Sequence, residues 1–199
     1  RMDHVCAAYK DDYRGIDNFI SSDCLVMDID NDHSENPEEW LTAEKITSIF
    51  EDVDFVLTTS RHHLIPKEGK MARPKYHIYF PIAECMDAGA YGAMKTALQK
   101  KYSFFDDNAL DAARFLFGSE SEEVVWHEGW ITVDDLVEVA ESAEEKEHSY
   151  GGPILEGSRN NTMSRCAGRV LKRYGITEKA HDAFLEHAKK CEPPLPSEE

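Results

Sequence analysis

The chain has 199 residues, 41% of them hydrophobic, and a formal net charge of −17 at pH 7. That length accommodates a catalytic domain and a small accessory one, and the acidic balance taken alone disfavours a nonspecific nucleic-acid binder. No apolar run approaches the ~20 residues of a membrane span, and no signal-peptide pattern opens the chain, so no membrane partner is expected.

The first predicted element is a strand over 24–30, ending Leu25-Val26-Met27-Asp28-Ile29-Asp30-Asn31-Asp32. Alternation puts Val26, Asp28 and Asp30 on one face and Leu25, Met27 and Ile29 on the other. Asn36-Pro37-Glu38-Glu39 reads as a helix start, with an Asn cap, Pro at the first position and acids in the first turn. Trp40, Ala43, Ile46 and Phe50 recur at helical spacing and should face the sheet. Residues 54–60 read as a strand and 61–74 as a basic loop. Residues 75–81 read as a further strand, with Lys75, His77 and Tyr79 on one face and Tyr76, Ile78 and Phe80 on the other. Asp87 caps a helix with periodic Tyr91, Met94 and Leu98. A polar turn at 106–108 leads into 111–118. Val124–Trp126 and Trp130-Ile131 read as a hairpin about Glu128-Gly129, and Thr132 caps a helix to about 146. Residues 141–152 have linker composition. Two helices follow, 161–174 ending at Gly175, and a second after Thr177. In the first, Met163, Ala167, Val170, Leu171 and Tyr174 share one face, and Arg165, Arg169, Lys172 and Arg173 the opposite one. The organisation expected is a catalytic domain over 1–146, a linker over 147–152 and a small helical domain over 153–199.

The charge is unevenly spread. Residues 1–155 hold 14 Lys and Arg against 32 Asp and Glu, and residues 156–199 hold 8 against 7. Two segments are basic islands where anions should be sought: 61–77 and 158–176, the latter with Arg159, Arg165, Arg169, Lys172 and Arg173. Five cysteines, Cys6, Cys24, Cys85, Cys166 and Cys191, lack paired spacing. That argues against a zinc knuckle and a disulfide framework, and is read as reduced thiols of a cytoplasmic protein.

Asp28 and Asp30, two residues apart on one strand face, are separated by about 6.6 Å along the strand, a spacing that lets carboxylates share hard divalent cations. The alternative is a solvated strand end running into an acidic turn. His77 shares its face with Lys75, and a histidine donor beside a lysine suits phosphate oxygens. Asp106 and Asp107 close the apolar run Phe104-Phe105. A third carboxylate near Asp28 and Asp30 would complete a two-metal site. Asp111 and Arg114 are spaced for an i,i+3 ion pair or a substrate contact. No glycine-rich phosphate loop, Gly-x-Ser-x-Gly or His-Glu-x-x-His occurs.

The order of these pieces resembles the archaeo-eukaryotic primase superfamily, and within it the primase-polymerases of phages, plasmids and other mobile elements. The residues that carry it are Asp28-Ile29-Asp30, Thr59-Ser60-Arg61-His62-His63, Arg73-Pro74-Lys75-Tyr76-His77, and Phe105-Asp106 with Asp111-Ala112-Ala113-Arg114-Phe115. Residues 152–199 are similar to the small helical primase C-terminal domain, on Glu156-Gly157-Ser158-Arg159-Asn160-Asn161-Thr162 and Pro193-Pro194-Leu195. The resemblance implies an α/β fold with an RNA-recognition-like core of mixed or antiparallel sheet, followed by a small α-helical domain. It implies a nucleotidyltransferase using Mg2+ or Mn2+, not zinc, to make primers from NTP or dNTP on single-stranded DNA in a prokaryotic host cell, with a replicative helicase as partner. Asp28, Asp30 and Asp106 would bind the metals, and Asp107 and Asp111 compete with Asp106 for the third place. His77 would contact the triphosphate, with Ser60, Arg61, Lys75 and Arg114 around the nucleotide. Lys75 stands where the family motif has a small residue. A non-catalytic replication initiator that binds DNA and a metal-dependent nuclease are the rival readings.

Overall fold

The structure, a computed structural model, describes residues 2–67, 69, 71–120, 123–142 and 154–194. At 138–142, 155, 158, 161, 165, 169, 172 and 173 it describes the backbone alone. Elements run β1 (Ala8–Tyr9), β2 (Phe19–Ile29), α1 (Ala43–Ile49), β3 (Phe55–Thr59), β4 (Tyr76–Cys85), α2 (Ala88–Lys101), β5 (Val124–His127) and α3 (Val133–Ser142). After them come β6 (Ile154–Leu155), α4 (Glu156–Tyr174), α5 (Glu178–Ala188) and β7 (Cys191–Glu192). The fold is mixed α/β. Five strands form one sheet in the order β1-β2-β4-β3-β5, and every neighbouring pair is antiparallel.

Two-residue alternation decides which face of the sheet is dry. Leu25, Met27 and Ile29 of β2, Phe55 and Leu57 of β3, and Tyr76, Ile78 and Phe80 of β4 all enter the main core. Ile46 of α1, Tyr91 and Leu98 of α2, and Leu136 and Val137 of α3 close on them, with Phe50 in the middle of an aromatic cluster that includes Phe55, Phe80 and Phe105. Asp28, His77 and Thr58 therefore share the opposite face.

Several boundaries differ from the sequence reading, each for a local reason. β2 begins at Phe19, not 24, because β1 pairs with its polar first half. Its register shifts between Ser22 and Cys24. Asn36 does cap, its side chain accepting from Glu38 N–H, but only a 3-10 turn, Pro37–Glu39. The helix restarts at Thr42, because Leu41 N–H is taken by Asn31 Oδ1 at 2.7 Å and the Trp40 indole by Ser34 O at 2.8 Å. The hairpin read at 124–131 does not form. β5 pairs with β3, and Trp130 and Ile131 N–H both donate to Asp52 O, at 2.7 and 2.9 Å. Gly129 makes this approach possible, since a Cβ there would lie 2.3 Å from Asp52 O.

α4 begins at Glu156, ahead of the expected 161, and Gly175 ends it at φ +65. Thr177 caps α5 by accepting from Ala180 N–H, and β6 and β7 form a short parallel ladder that no sequence pattern announced. On the expected apolar face of α4, Met163 and Val170 are buried but Leu171 is half exposed. Cys166 takes its place against Ala180 of α5 and Trp130. Lys190 Nζ pairs with Asp52 Oδ1 at 2.5 Å, and the Trp130 and His187 rings lie 5.7 Å apart. The expected linker, 147–152, lies outside the described residues.

Candidate active site

The site starts at the end of β2. Asn31 follows the Asp28-Ile29-Asp30 strand end at φ 54, a left-handed conformation that Asn tolerates better than most residues. Its fully buried amide donates to Leu41 O (3.0 Å) and Pro74 O (2.8 Å), so the turn after β2 is clamped to the segment entering β4. Arg73, read from the sequence as part of a basic loop, is buried. Its guanidinium donates to Asn31 O at 3.0 Å and Asp32 Oδ1 at 2.9 Å, and pairs with Glu35 at 2.5 Å. Arg73 thus neutralises the acidic turn and leaves Asp28 and Asp30 to other partners.

Those partners come from β4 and from the irregular stretch 106–117. Asp28 lies directly opposite His77, which in turn lies opposite Thr58. Asp28 Oδ1 meets His77 Nδ1 at 2.6 Å, and Oδ2 accepts from the Arg114 guanidinium. Burial pushes the Asp28 carboxyl up, but His77 and Arg114 together outweigh it and hold the group below the usual carboxylate range. Asp30 Oδ2 accepts from Lys75 Nζ at 2.7 Å. The backbone N–H of Asp106 donates to Asp28 O at 2.9 Å, which fixes Asp106 beside β2. Its carboxylate accepts from Asn108 N–H and side-chain amide, both at 3.0 Å.

A cleft of about 340 Å³ opens beside this cluster. Its lining combines cations (Arg61, Lys67, Lys75, Arg114), the imidazoles of His62 and His77, and the apolar wall Phe115 and Phe117, with Asp30 and Ser60. Arg61 is held by three contacts. Nε donates to Gly118 O at 3.0 Å, Nη2 pairs with Asp3 Oδ1 at 2.5 Å, and the guanidinium lies 4.6 Å from the Phe117 ring centre. The cleft's lining suits an anion: six positive or protonatable side chains converge on it from three separate segments.

Asp28, Asp30, Lys75, His77 and Arg114, singled out from the sequence, therefore come together, with Ser60 and Arg61 in the same cleft. Asp106 is beside them through its backbone. Among the described residues, no group of three or more His, Cys, Asp or Glu side chains is gathered to hold a metal ion. Arg159 is engaged elsewhere, its Nη2 donating to Pro193 O at 2.5 Å. The side chains of Arg165, Arg169, Lys172 and Arg173 lie outside the described residues. Sequence reasoning missed Phe117 and Asp3, whose neighbours are fixed only by tertiary contacts, and Lys95, which sat unmarked in a helix interior. Lys95 Nζ is fully buried without a hydrogen-bond partner.

Compared with known proteins, the chain matches no family model, and no curated protein or solved structure is significantly similar to it. The class that the fold defines is mixed α/β with a five-stranded antiparallel sheet. No described helix is long and apolar enough to cross a membrane.

Proposed function

We propose that the chain is a nucleotidyltransferase of the primase-polymerase kind, joining NTP or dNTP into primers on single-stranded DNA. The observation that carries this reading is the contact of Asp28 with His77 across neighbouring strands, beside a cleft lined by Arg61, Lys67, Lys75 and Arg114. A nucleoside triphosphate offers that cleft several anionic oxygens. Arg61 and Arg114 present forked donors to them, and Lys75 and His77 point charges or single donors. Phe115 and Phe117 give the cleft an apolar wall that can exclude water from the phosphates.

Asp28, Asp30 and Asp106 present oxygen donors only, a set suited to Mg2+ or Mn2+ and not to zinc. Bound there, such ions would supply Lewis-acid stabilisation of the phosphates and a lower pKa for the attacking 3′-hydroxyl. Lys75 and Arg114 already provide positive charge at Asp30 and Asp28. Both side chains are long enough to turn from the carboxylates to phosphate oxygens. His77, held to Asp28 through Nδ1, then offers its other ring nitrogen to a phosphate oxygen beside these longer cations.

Primer synthesis with labelled nucleotides and Mn2+ on single-stranded DNA tests the reading. Product is expected from the natural chain and none from Asp28→Ala. One observation favours a second reading, a non-catalytic protein that binds DNA or nucleotide: both oxygens of Asp28 are already engaged by protein cations. That reading requires DNA binding without product. Cleavage of DNA in the absence of nucleotides would identify a nuclease instead.

A further inference from the structure

The residues ahead of β1 form a strap along the segment 116–118. His4 N–H donates to Leu116 O at 3.0 Å and Leu116 N–H to His4 O at 2.9 Å, an antiparallel bridge. Gly118 lets the two backbones close up, since a Cβ there would lie 2.0 Å from Met2 O. The His4 ring stacks on Tyr79 with centroids 6.0 Å apart, and its Nε2 lies 3.2 Å from the Tyr79 hydroxyl. The Tyr79 ring is in turn 6.5 Å from that of His77, so the strap runs beside the site.

Asp3 is aimed by this strap. Its Oδ1 accepts from Arg61 Nη2 at 2.5 Å and from Gly118 N–H at 2.9 Å. Arg61 is braced independently of Asp3, because Nε donates to Gly118 O at 3.0 Å and the guanidinium lies 4.6 Å from the Phe117 ring centre. Arg61 and Phe117 both line the cleft, which puts the Asp3 carboxylate at its rim. A guanidinium and a backbone N–H converging on one anionic oxygen are the donors that phosphate groups use. Here the oxygen belongs to the chain itself. The Arg61 and Asp3 side chains are 28% and 43% exposed, and an ion pair that open to water is weak enough to exchange.

We propose that Arg61 and the Gly118 N–H are a phosphate subsite at the cleft rim, and that the Asp3 carboxylate occupies it until a terminal phosphate displaces it. The inference deepens the nucleotide reading and rests on it for the class of ligand. A carboxylate brings one charge and two oxygens to these donors. A terminal phosphate brings nearly two charges and three oxygens, so the exchange favours it. A phosphate of the DNA backbone carries a single charge, as Asp3 does, and gains little by replacing it. Asp3 thereby makes the rim selective for the end of a polyphosphate over singly charged anions.

Calorimetric titration with inorganic tripolyphosphate, in the natural chain, Asp3→Asn, Arg61→Gln and the double variant, tests this. Asparagine keeps an oxygen for the Gly118 N–H and drops the charge, so the strap stays seated. Asp3→Asn should bind tripolyphosphate about two- to fivefold more tightly, the range that an exposed ion pair supports. In the Arg61→Gln background the same substitution should change nothing. Equal or weaker binding by Asp3→Asn would overturn the proposal. So would an equal gain in both backgrounds, which is what the general loss of one negative charge produces. A gain for a short oligothymidine in place of tripolyphosphate would overturn the assignment to a terminal phosphate. The two readings fail separately. Tripolyphosphate binding that does not respond to Asp3→Asn removes the subsite alone, and absence of primer synthesis from a chain that does respond removes the polymerase alone.

Discussion

Asp28 and Lys95 show how single charges are managed in this molecule. Asp28 is 3% exposed and keeps its charge because an imidazole and a guanidinium meet its two oxygens. Lys95 has no such partners, and burial lowers its ammonium to about 8 from 10.5. Below pH 8 the ammonium is charged in both the folded and unfolded chain, so the full cost of burying it is present. Between pH 8 and 10.5 the folded chain sheds the proton first, the unfolded chain binds more protons, and stability rises with pH. Lys95→Met should therefore be more stable than the natural chain at pH 7, by up to about 3 kcal/mol, with the advantage shrinking as pH rises past 8. Urea unfolding of both proteins at pH 7 and 9.5 reads this directly. An advantage that is constant with pH would contradict it.

At the scale of elements, what could be read from the sequence is what is decided locally. Caps at Asn36 and Asp87 need only a side chain and an N–H two or three residues away, and both occur, as does the helix start after Thr177. Thr132, read as a cap, instead donates its hydroxyl to Asp135 Oδ2 at 3.1 Å. The alternation in β2 and β4 sorts core from site because each face has a distinct chemistry, which is why Asp28, Asp30, Lys75 and His77 could be placed on one side. What failed depended on distant partners. The first half of β2 is a strand because β1 pairs with it, and its Ser21-Ser22-Asp23 run hides that. Arg73 reads only as part of a basic loop until Asn31, Asp32 and Glu35 fold around it. The false hairpin at 124–131 came from reading Gly129 as a turn glycine, when its role is to let the backbone approach Asp52. Gly129→Ala should thus cost about 1–3 kcal/mol through overpacking against immovable backbone, seen as a lower urea midpoint. A midpoint within error of the natural chain would mean that the close approach can relax.

At the scale of the whole molecule, a chain of net charge −17 concentrates cations where an anion would bind. The cleft takes Arg61, Lys67, Lys75 and Arg114, while the acidic turn after β2 is neutralised separately by Arg73. The C-terminal helices reach the sheet region through Trp130 and through Lys190 on Asp52. If the basic stretch of α4 tracks a DNA strand, as the proposed function requires, Arg169→Glu should weaken single-stranded DNA binding. It should also flatten the dependence on salt by about one to two ions, since a charge reversal removes one phosphate contact and repels another. An unchanged salt slope would take α4 out of the DNA path.

In the proposed function, the imidazole opposite Asp28 and the cations beside it form a nucleotide site. Calorimetric titration of the natural chain and His77→Ala with a nucleoside triphosphate in Mn2+, and separately with Mn2+ alone, addresses it most directly. Nucleotide affinity should be weakened by about ten- to a hundredfold in His77→Ala, the loss of one hydrogen bond to a charged group, with Mn2+ affinity nearly unchanged. Nucleotide binding that is equal in the two proteins, or absent from the natural chain, would contradict it.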